Sequence, residues 1–589
     1  MDLGLVGSGP AAESIAAAWE DVDGRVVRFS PEELTADESI PRIGAVVAPS
    51  GATVFEKADT IFSRYVAVEI GGIGGVPRSE LDASVATIVS EEGCYRCLEA
   101  RVRSNVDGEP DATSPTGDRS AVRFGGATAA NELLSALRER TPWRTITEIP
   151  GRTREFLPVP GCEHCGGTTD DSTRNRPLVK GGSFELSHRS VGLEDALSRA
   201  ERSVDDRVGL LSEVGERESF PVPYYISMTA DTTVFGDAQA AEFAAGVDVD
   251  WDRAFMKALG EGLERYCAGV YRSSSLHTAP AESLPEAVPP SEFVLPDDRE
   301  RSDSGTQIEW IEGIELGTER RAYLPAEFVL YPPPTRRHKP AITTGLGLGN
   351  STVEATLSGL YEVIERDATM IGWYSTFEPL KLVVEDPIVE TLEKRARAES
   401  LTVTPLFLTQ DVDVPAVAVA VHREESAIDG DPWPAFAMGS GASLDVVSAI
   451  RSALSEALQN WMELDAMGET AAQKEKAAIG RYGRFPTEAR SFVDVETSID
   501  AATVSVADLD GRAELDTVLD RLDAAGLSAY AVRTTTRDVE SLGFEAVRVL
   551  IPEAQPLFTG EPFFGERAET VPRSLGFEPR LDRSYHPYP

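Results

Sequence analysis

Lysine is nearly absent from this chain. Its 589 residues include 8 Lys and 48 Arg against 98 Asp and Glu, for a net charge of −42. A field this negative disfavours nonspecific nucleic-acid binding, so no nucleic-acid partner is expected. The acidic excess is spread along the whole chain. It reads as a halophilic surface, with carboxylates holding water and salt, ahead of a specialised acidic docking patch. Long apolar runs are also missing: no stretch of about 18 uncharged apolar residues occurs, so no transmembrane helix and no membrane partner are expected. The opening MDLGLVGSGPAAESI has neither a basic leader nor a clean apolar segment. It reads as a first strand, not a signal peptide, and the expected location is cytoplasmic. The sequence contains no G-x-x-x-x-G-K-[ST] and no protein-kinase signature set, so any use of ATP requires another architecture.

The apolar fraction of 41% supports folded domains, and the length is too great for a single core. Residues 1–40 read as strand, Gly turn, helix, strand. Gly7, Gly9 and Ala12 form G-x-G-x-x-A, near the dinucleotide fingerprint, but no acidic partner follows the second strand. A Rossmann-like scaffold that binds no nucleotide fits as well. Residues 104–126 read as a polar surface loop, and GGTTDDSTRNRPLVKGG at 166–182 as the domain boundary. Two domains are therefore expected, 1–182 and 183–589. The second alternates long helical patterns with strand-like runs such as PAVAVAVH (415–422) and FEAVRVLIP (544–552), an α/β or α+β domain. The acidic, Pro-rich stretch 284–307 reads as an insertion loop within it.

The chain has only five cysteines, and four of them form two C-x-x-C knuckles: Cys94 with Cys97, and Cys162 with Cys165. Two such knuckles are the usual source of four thiolates for a closed structural Zn²⁺ site. Two disulfides or a redox dithiol are the alternatives, and an intracellular chain makes structural disulfides the less favoured of them.

One phrase recurs: ALGEGLER at 258–265, GLYEVIER at 359–366 and ALSEALQN at 453–460. Each has a small residue, Leu, any residue, Glu, then Glu or Gln three further on. The pairs are Glu261/Glu264, Glu362/Glu365 and Glu456/Gln459. Spacing of three places both side chains on one helix face. Glu354, eleven residues before Glu365, lies roughly 20° from the same direction. A solvated acidic face is the plain reading. Against it stand the apolar neighbours, the arginines that follow two of the pairs, and the recurrence itself. Clustered carboxylates resist ionisation unless a cation neutralises them. Mg²⁺ binds a few carboxylates together with phosphates, so the pattern suits a Mg²⁺–nucleotide site built from helix faces.

These segments resemble a known family. GLGLGNSTVEATLSGLYEVIERDA (345–368) is similar to the signature of YcaO-domain proteins. KALGEGLERYCAG (257–269) and MGSGASLDVVSAIRSALSEALQN (438–460) resemble its other two conserved segments, and the terminal SYHPYP resembles the proline-rich end of azoline-forming members. The resemblance implies an ATP-dependent enzyme that phosphorylates a peptide amide oxygen. A Cys, Ser or Thr nucleophile yields thiazoline or oxazoline in a ribosomally made precursor peptide; external sulfide yields a thioamide. By the same resemblance, Glu261, Glu264, Glu362 and Glu365 hold Mg²⁺, and Asn350, Glu354, Arg366 and Gln459 contact nucleotide or metal. Lys257 stands where the family often has Ser and is grouped with the nucleotide contacts. Pro589 ends a tail that either inserts toward the catalytic centre or trails as a plain terminus.

The first 182 residues, especially GCYRCLEAR, resemble the E1-like partner protein of azole-peptide cyclodehydratases, here fused and without a recognisable winged-helix segment for leader capture. The implied cofactors are ATP, Mg²⁺ and structural Zn²⁺. The implied partners are the precursor peptide, a flavin-dependent dehydrogenase or a sulfur-transfer protein, and a second copy of the chain. A non-catalytic peptide- or nucleotide-binding scaffold is the competing reading of a different class.

Overall fold

The computed structural model describes residues 2–35, 40–106, 115–166, 179–180, 183–184, 188–299, 303, 305–423, 433–474, 479–506 and 509–588. Pro589 and most of the expected boundary at 166–182 lie outside the described residues.

The chain opens as the sequence suggests. Strand β1 (Asp2–Val6) turns through Gly7 into α1 (Pro10–Glu20) and returns as β2 (Arg25–Phe29). Gly7 has φ +108°, and a β-carbon there would overlap the carbonyl of Val47. Glycine is thus required by close strand packing, with or without a nucleotide. Strands β3 (Ile43–Pro49) and β4 (Arg64–Ile70) continue in parallel, and β5 (Ala83–Val89), β6 (Thr145–Ile149) and β7 (Thr153–Glu155) add antiparallel, in the order β2-β1-β3-β4-β5-β6-β7.

A short helix (Val54–Ile61) links β3 to β4, and two longer ones, α2 (Tyr95–Ser104) and α3 (Arg119–Leu137), complete this part. The expected surface loop 104–126 is corrected here: residues 119–126 open α3. Their Gly125 and Gly126 are buried, and a β-carbon on Gly126 would overlap the backbone of Ala11. The glycines that read as loop punctuation instead let two helices approach closely. Asp118 caps the helix by accepting from Ser120 N–H (2.8 Å).

After residue 188 come a three-stranded antiparallel sheet (Leu211–Glu218, Tyr224–Thr229, and β8, Phe243–Val247), a six-stranded sheet, and a five-stranded sheet. The six-stranded sheet contains β9 (Leu346–Gly349) and β11 (Glu545–Leu550), paired antiparallel with Leu346 opposite Arg548. The five-stranded sheet ends on β10 (Phe436–Ala442). Three long helices pack on these sheets: α4 (Trp251–Gly269), α5 (Thr352–Trp373) and α6 (Val446–Met467).

The first sheet and the later elements share their packing. One apolar core runs from Phe55, Tyr65, Cys94 and Leu98 through to Leu259, Leu263 and Phe544. A buried polar knot crosses the same junction. Arg101 of α2 pairs with Asp538, donates to Tyr266 Oη (3.2 Å) of α4, and donates to the carbonyls of Leu157 and Pro158 (3.1 and 3.0 Å). Both Arg101 and Asp538 are fully buried. A buried ion pair is tolerated when its remaining hydrogen-bonding capacity is met, as it is here.

Candidate active site

The recurrent phrase has a structural cause. Each of α4, α5 and α6 follows a strand after a short turn, and each is capped by a side chain just before it: Asp250, Ser351 and Asp445 accept from Arg253, Glu354 and Val447 N–H (3.1, 3.3 and 3.2 Å). Each preceding strand carries a glycine facing the helix. A β-carbon on Gly246, Gly347 or Gly439 would overlap Ala258, Ala355 or Ala453 respectively. The small residue that opens each phrase, Ala258, Gly359 or Ala453, abuts that strand.

The glutamate three residues later lies on the same helix face and reaches the strand backbone. Ala245 N–H donates to Glu261 Oε2 (2.7 Å), Gly345 N–H to Glu362 Oε2 (2.9 Å), and Ser440 N–H to Glu456 Oε2 (2.6 Å). One clamp is built three times. In each, one carboxylate oxygen anchors helix to strand, which orients the other.

The second members of the pairs differ. Glu264 has no hydrogen bond among the described residues; burial first, then the charges of Glu362 and Glu261, push its carboxyl up to about 8. Glu365 is buried and accepts from Ser440 Oγ (2.6 Å); burial and Glu456 raise it to about 7, against the pull of Arg366. Gln459 donates to Glu463 (2.9 Å), which also accepts from Tyr224 Oη (2.8 Å). Burial likewise raises Glu261 and Glu456.

Three arginines offset part of this charge. Arg265 pairs with Glu261. Arg366 lies 3.5 Å from Glu365 and 3.7 Å from Glu456. Arg548 of β11 feels the charges of Glu362 and Glu264, while its Nη atoms donate to the carbonyls of Thr343 and Ile342 (2.8 and 3.0 Å). Five carboxylates against three guanidiniums leave an uncompensated negative excess. Glu264 and Glu365 are the groups that protonate in consequence, unless a cation takes the proton's place. The donor set is hard oxygen, on an inward face, and fits Mg²⁺.

A cleft of about 590 Å³ opens on one side of the cluster, lined by Lys257, Glu261, Glu264, Asn350, Glu354 and Phe544 among others. That volume is ordinary for a small-molecule site. Glu354 accepts from Asn350 N–H (2.8 Å), and Asn350 is held from outside by Arg199 (2.6 Å to Oδ1) and Arg189 (2.8 Å to its carbonyl). Lys257 lies on the cleft rim, paired with Asp248 (2.8 Å). The fold thus brings together Lys257, Glu261, Glu264, Asn350 and Glu354 on the cleft, with Glu362, Glu365 and Arg366 beside it. Gln459 is engaged by Glu463, and it is Glu456, one helical turn earlier, that meets Glu365 and Arg366.

The C-terminal tail runs into the same place. Trp373 Nε1–H donates to the carbonyl of Ser584 (2.9 Å), and the Arg583 guanidinium stacks 3.8 Å over the Trp373 ring. His586 hydrogen-bonds the Phe558 carbonyl (2.8 Å) and is buried, as is Tyr588. The charges of Arg366 and Glu365 both act on Tyr588, so the described tail ends beside them.

The four cysteines also converge. All four sulfurs lie within 4.8 Å of one another, with Cys94–Cys162 at 3.5 Å and Cys97–Cys165 at 3.3 Å. Val159 N–H points at Cys97 Sγ (3.3 Å) and Arg537 at Cys165 Sγ (3.6 Å). Such donors stabilise thiolates, so the set fits a closed tetrahedral metal site. All four are free thiols and not disulfides.

Residues 245–555, more than half of the chain, match the family described as YcaO cyclodehydratase, ATP- and Mg²⁺-binding. The chain belongs to this family. A protein of Methanothermobacter thermautotrophicus, itself uncharacterised, is 28% identical over 343 residues, covering 55% of this chain and 84% of its own. Among solved structures, a heterocyclase in complex with substrate and cofactor superposes with a TM-score of 0.71 at 19% identity, covering 98% of this chain and 83% of that one. The heterocyclase TruD gives 0.67, also at 19%, covering 98% and 82%. At these identities the likeness is one of fold, and it extends over nearly the whole chain, first sheet included.

Several residues of the site are not apparent from the motifs. Ser440, Arg548 and Glu463 lie far along the chain from the carboxylates or hydroxyls they serve. Arg548 has a visible signal, a charge inside the apolar run AVRVLI (546–551). Arg189 and Arg199 carry none.

Proposed function

We propose that the protein is an ATP-dependent cyclodehydratase acting on a ribosomally made peptide, with an E1-related partner domain at 1–182 fused to a YcaO catalytic domain at 183–589. A Cys, Ser or Thr side chain of the peptide adds to the carbonyl carbon of the preceding amide and loses its proton. The resulting oxyanion takes the γ-phosphoryl group of ATP, releasing ADP. The C–O bond then breaks, phosphate departs, and the amide nitrogen loses its proton to leave the C=N bond of an azoline. The peptide has lost the atoms of one water, and ATP has become ADP and phosphate.

Phosphoryl transfer asks the protein mainly for positioning and charge neutralisation. Glu261, Glu264, Glu362 and Glu365, with Glu456, would hold Mg²⁺, which when bound neutralises adjoining phosphoryl oxygens. Asn350, Glu354 and Lys257 line the cleft assigned to the nucleotide. Arg366 lies where charge builds on the transferred group, and Gln459 acts through Glu463. The tail ending at Pro589 borders the peptide side. Cys94, Cys97, Cys162 and Cys165 hold structural Zn²⁺.

The observation that carries this reading is the convergence of three separately clamped glutamates and their partners into one under-neutralised cluster beside a cleft of nucleotide size. The test is mass spectrometry of a Cys/Ser/Thr-rich peptide encoded beside the gene, incubated with the enzyme, ATP and Mg²⁺. Loss of one water per modified residue, with one ADP formed, is expected. An unchanged peptide, with no ATP consumed, overturns the reading.

A further inference from the structure

Beyond the carboxylates, α5 reaches a second cavity that the chemistry above leaves unused. It measures about 40 Å³ and is lined by Lys339, Arg366 and Arg548, with Thr344, Val363 and Gln555 among its other walls. Among the described residues, no carboxylate lines it. In a chain with 98 acidic and 56 basic residues, a pocket with three cations and no anion is an unusual local composition. The three come from separate elements: α5, β11 and the segment before β9.

Arg366 is shared with Glu365 and Glu456 (3.5 and 3.7 Å), while the other two cations have no carboxylate in ion-pair contact among the described residues. The Arg548 Nη atoms are fixed by two carbonyls, while its Nε is buried with no partner among the described residues, and the residue is 4% exposed. Lys339 Nζ sits 4.4 Å over the Phe328 ring and 5.3 Å from Phe293. No carboxylate among the described residues lies within ion-pair distance of it. An unpartnered buried donor such as the Arg548 Nε is costly unless something fills its demand, and the part-buried Lys339 ammonium adds a positive charge beside it. A cavity needs roughly 10–15 Å³ to hold one water, so this one accommodates a small polyatomic ion and excludes a nucleotide or a peptide.

The cavity lies at the far end of the carboxylate row from the cleft. Ser358 lines the 590 Å³ cleft, and Arg366 lines the cavity. Eight residues of helix separate them, about 12 Å, and Glu362 and Glu365 lie between. On the reading proposed above, a nucleotide in the cleft has its phosphates on these glutamates, and the cavity lies beyond them.

We propose that Lys339, Arg548 and Arg366 form a binding site for inorganic phosphate, the ion released when the C–O bond of the phosphorylated amide breaks. The inference rests on the nucleotide occupying the cleft, as proposed above. Holding the leaving phosphate apart from ADP would let the two products depart independently.

The test is equilibrium dialysis of radiolabelled inorganic phosphate against the full chain, with and without saturating ADP and Mg²⁺, in parallel with the affinity for a fluorescent ADP analogue. One phosphate per chain is expected, bound with ADP present. Lys339→Met should weaken phosphate at least tenfold and leave the ADP analogue within twofold, with Lys339→Arg restoring most of the loss. Arg548→Gln should weaken phosphate in the same direction, and thermal melts identify any variant that fails to fold. No phosphate bound by the unaltered chain, equal binding by Lys339→Met, or stoichiometric displacement by ADP each overturns the proposal. Failure to bind the ADP analogue at all would instead strike the nucleotide reading, and phosphate binding without ADP would still decide the cavity.

Discussion

Glu365→Gln removes one charge and almost no volume from the centre of the carboxylate cluster. The unaltered carboxyl is 8% exposed, and burial with Glu456 raises it from 4.5 to about 7. The folded chain therefore binds this proton more tightly than the unfolded chain does. Stability is lost as pH climbs between those two values, and at pH 8 the ionised group costs the folded state about 3 kcal/mol. At pH 5 the cost is under about 1 kcal/mol. Glutamine resembles the protonated carboxyl and still accepts from Ser440 Oγ; the pull of Arg366 on the ionised group is already contained in the raised value. Without Mg²⁺ the variant should be more stable than the parent by about 3 kcal/mol at pH 8 and within about 1 kcal/mol of it at pH 5. Peptide-dependent ATP turnover should fall by roughly 100-fold or more. Denaturant unfolding at the two pH values and a phosphate-release assay read both quantities. A variant that is less stable at pH 8 with turnover intact would mean that Glu365 serves as a structural partner of Arg366, and the reasoning fails.

Mg²⁺ affinity, measured by calorimetry, should weaken as pH falls from above 8 to below 7, because protons on Glu264 (raised to about 8) and Glu365 compete with the metal; a flat profile contradicts this. Gly439→Val should destabilise by about 1–3 kcal/mol and lower turnover, since the added carbons collide with α6 and lift Glu456 off its strand; unchanged melting and turnover would refute the clamp. Arg101→Leu strands the Asp538 carboxylate in a dry junction and should cost about 3–5 kcal/mol in unfolding experiments, against under about 1 kcal/mol for an exposed pair such as Arg96–Glu56. Native mass spectrometry should find one zinc per chain, lost in Cys97→Ser; a metal-free parent would remove Zn²⁺ from the assignment.

The site is legible in the sequence where local spacing encodes it. A small residue three positions before a glutamate marks a helix lying tight against a strand, so the phrase itself exposes Glu261, Glu362 and Glu456. The strand glycines Gly347 and Gly439 belong to the same segments, whereas Gly246 lies before the segment it serves. Partners supplied by distant strands are not legible. Arg548 reaches Glu264 and Glu362 only because β11 pairs with β9, and a sequence pattern does not state pairing across 200 residues. Gln459 groups with the ligands by position in its phrase, while its amide is occupied in donating to Glu463 on the next turn. The loop expected at 104–126 fails for a related reason. Glycines mark both turns and close helix contacts, and only the presence of α1 beneath Gly126 distinguishes the two. The scarcity of lysine reads as a surface property, and its converse, that a lysine kept inside such a chain is informative, emerges only from where Lys339 sits.

The Arg101–Asp538–Tyr266 knot bears on how the two parts of the chain stay together in concentrated salt. Charges at a wet interface are screened within about 3 Å at 1 M salt. A joint made of exposed ion pairs would loosen there, and two parts sharing a strongly negative surface would lose little by separating. Arg101 and Asp538 are fully buried, so mobile ions do not reach between them. The apolar core around them tightens as excluded salts raise the cost of exposed surface. The joint is thus of the kind that holds at any ionic strength, and the helix bearing Glu261 and Glu264 is fixed to the cysteine-bearing helix by a bond that brine does not weaken.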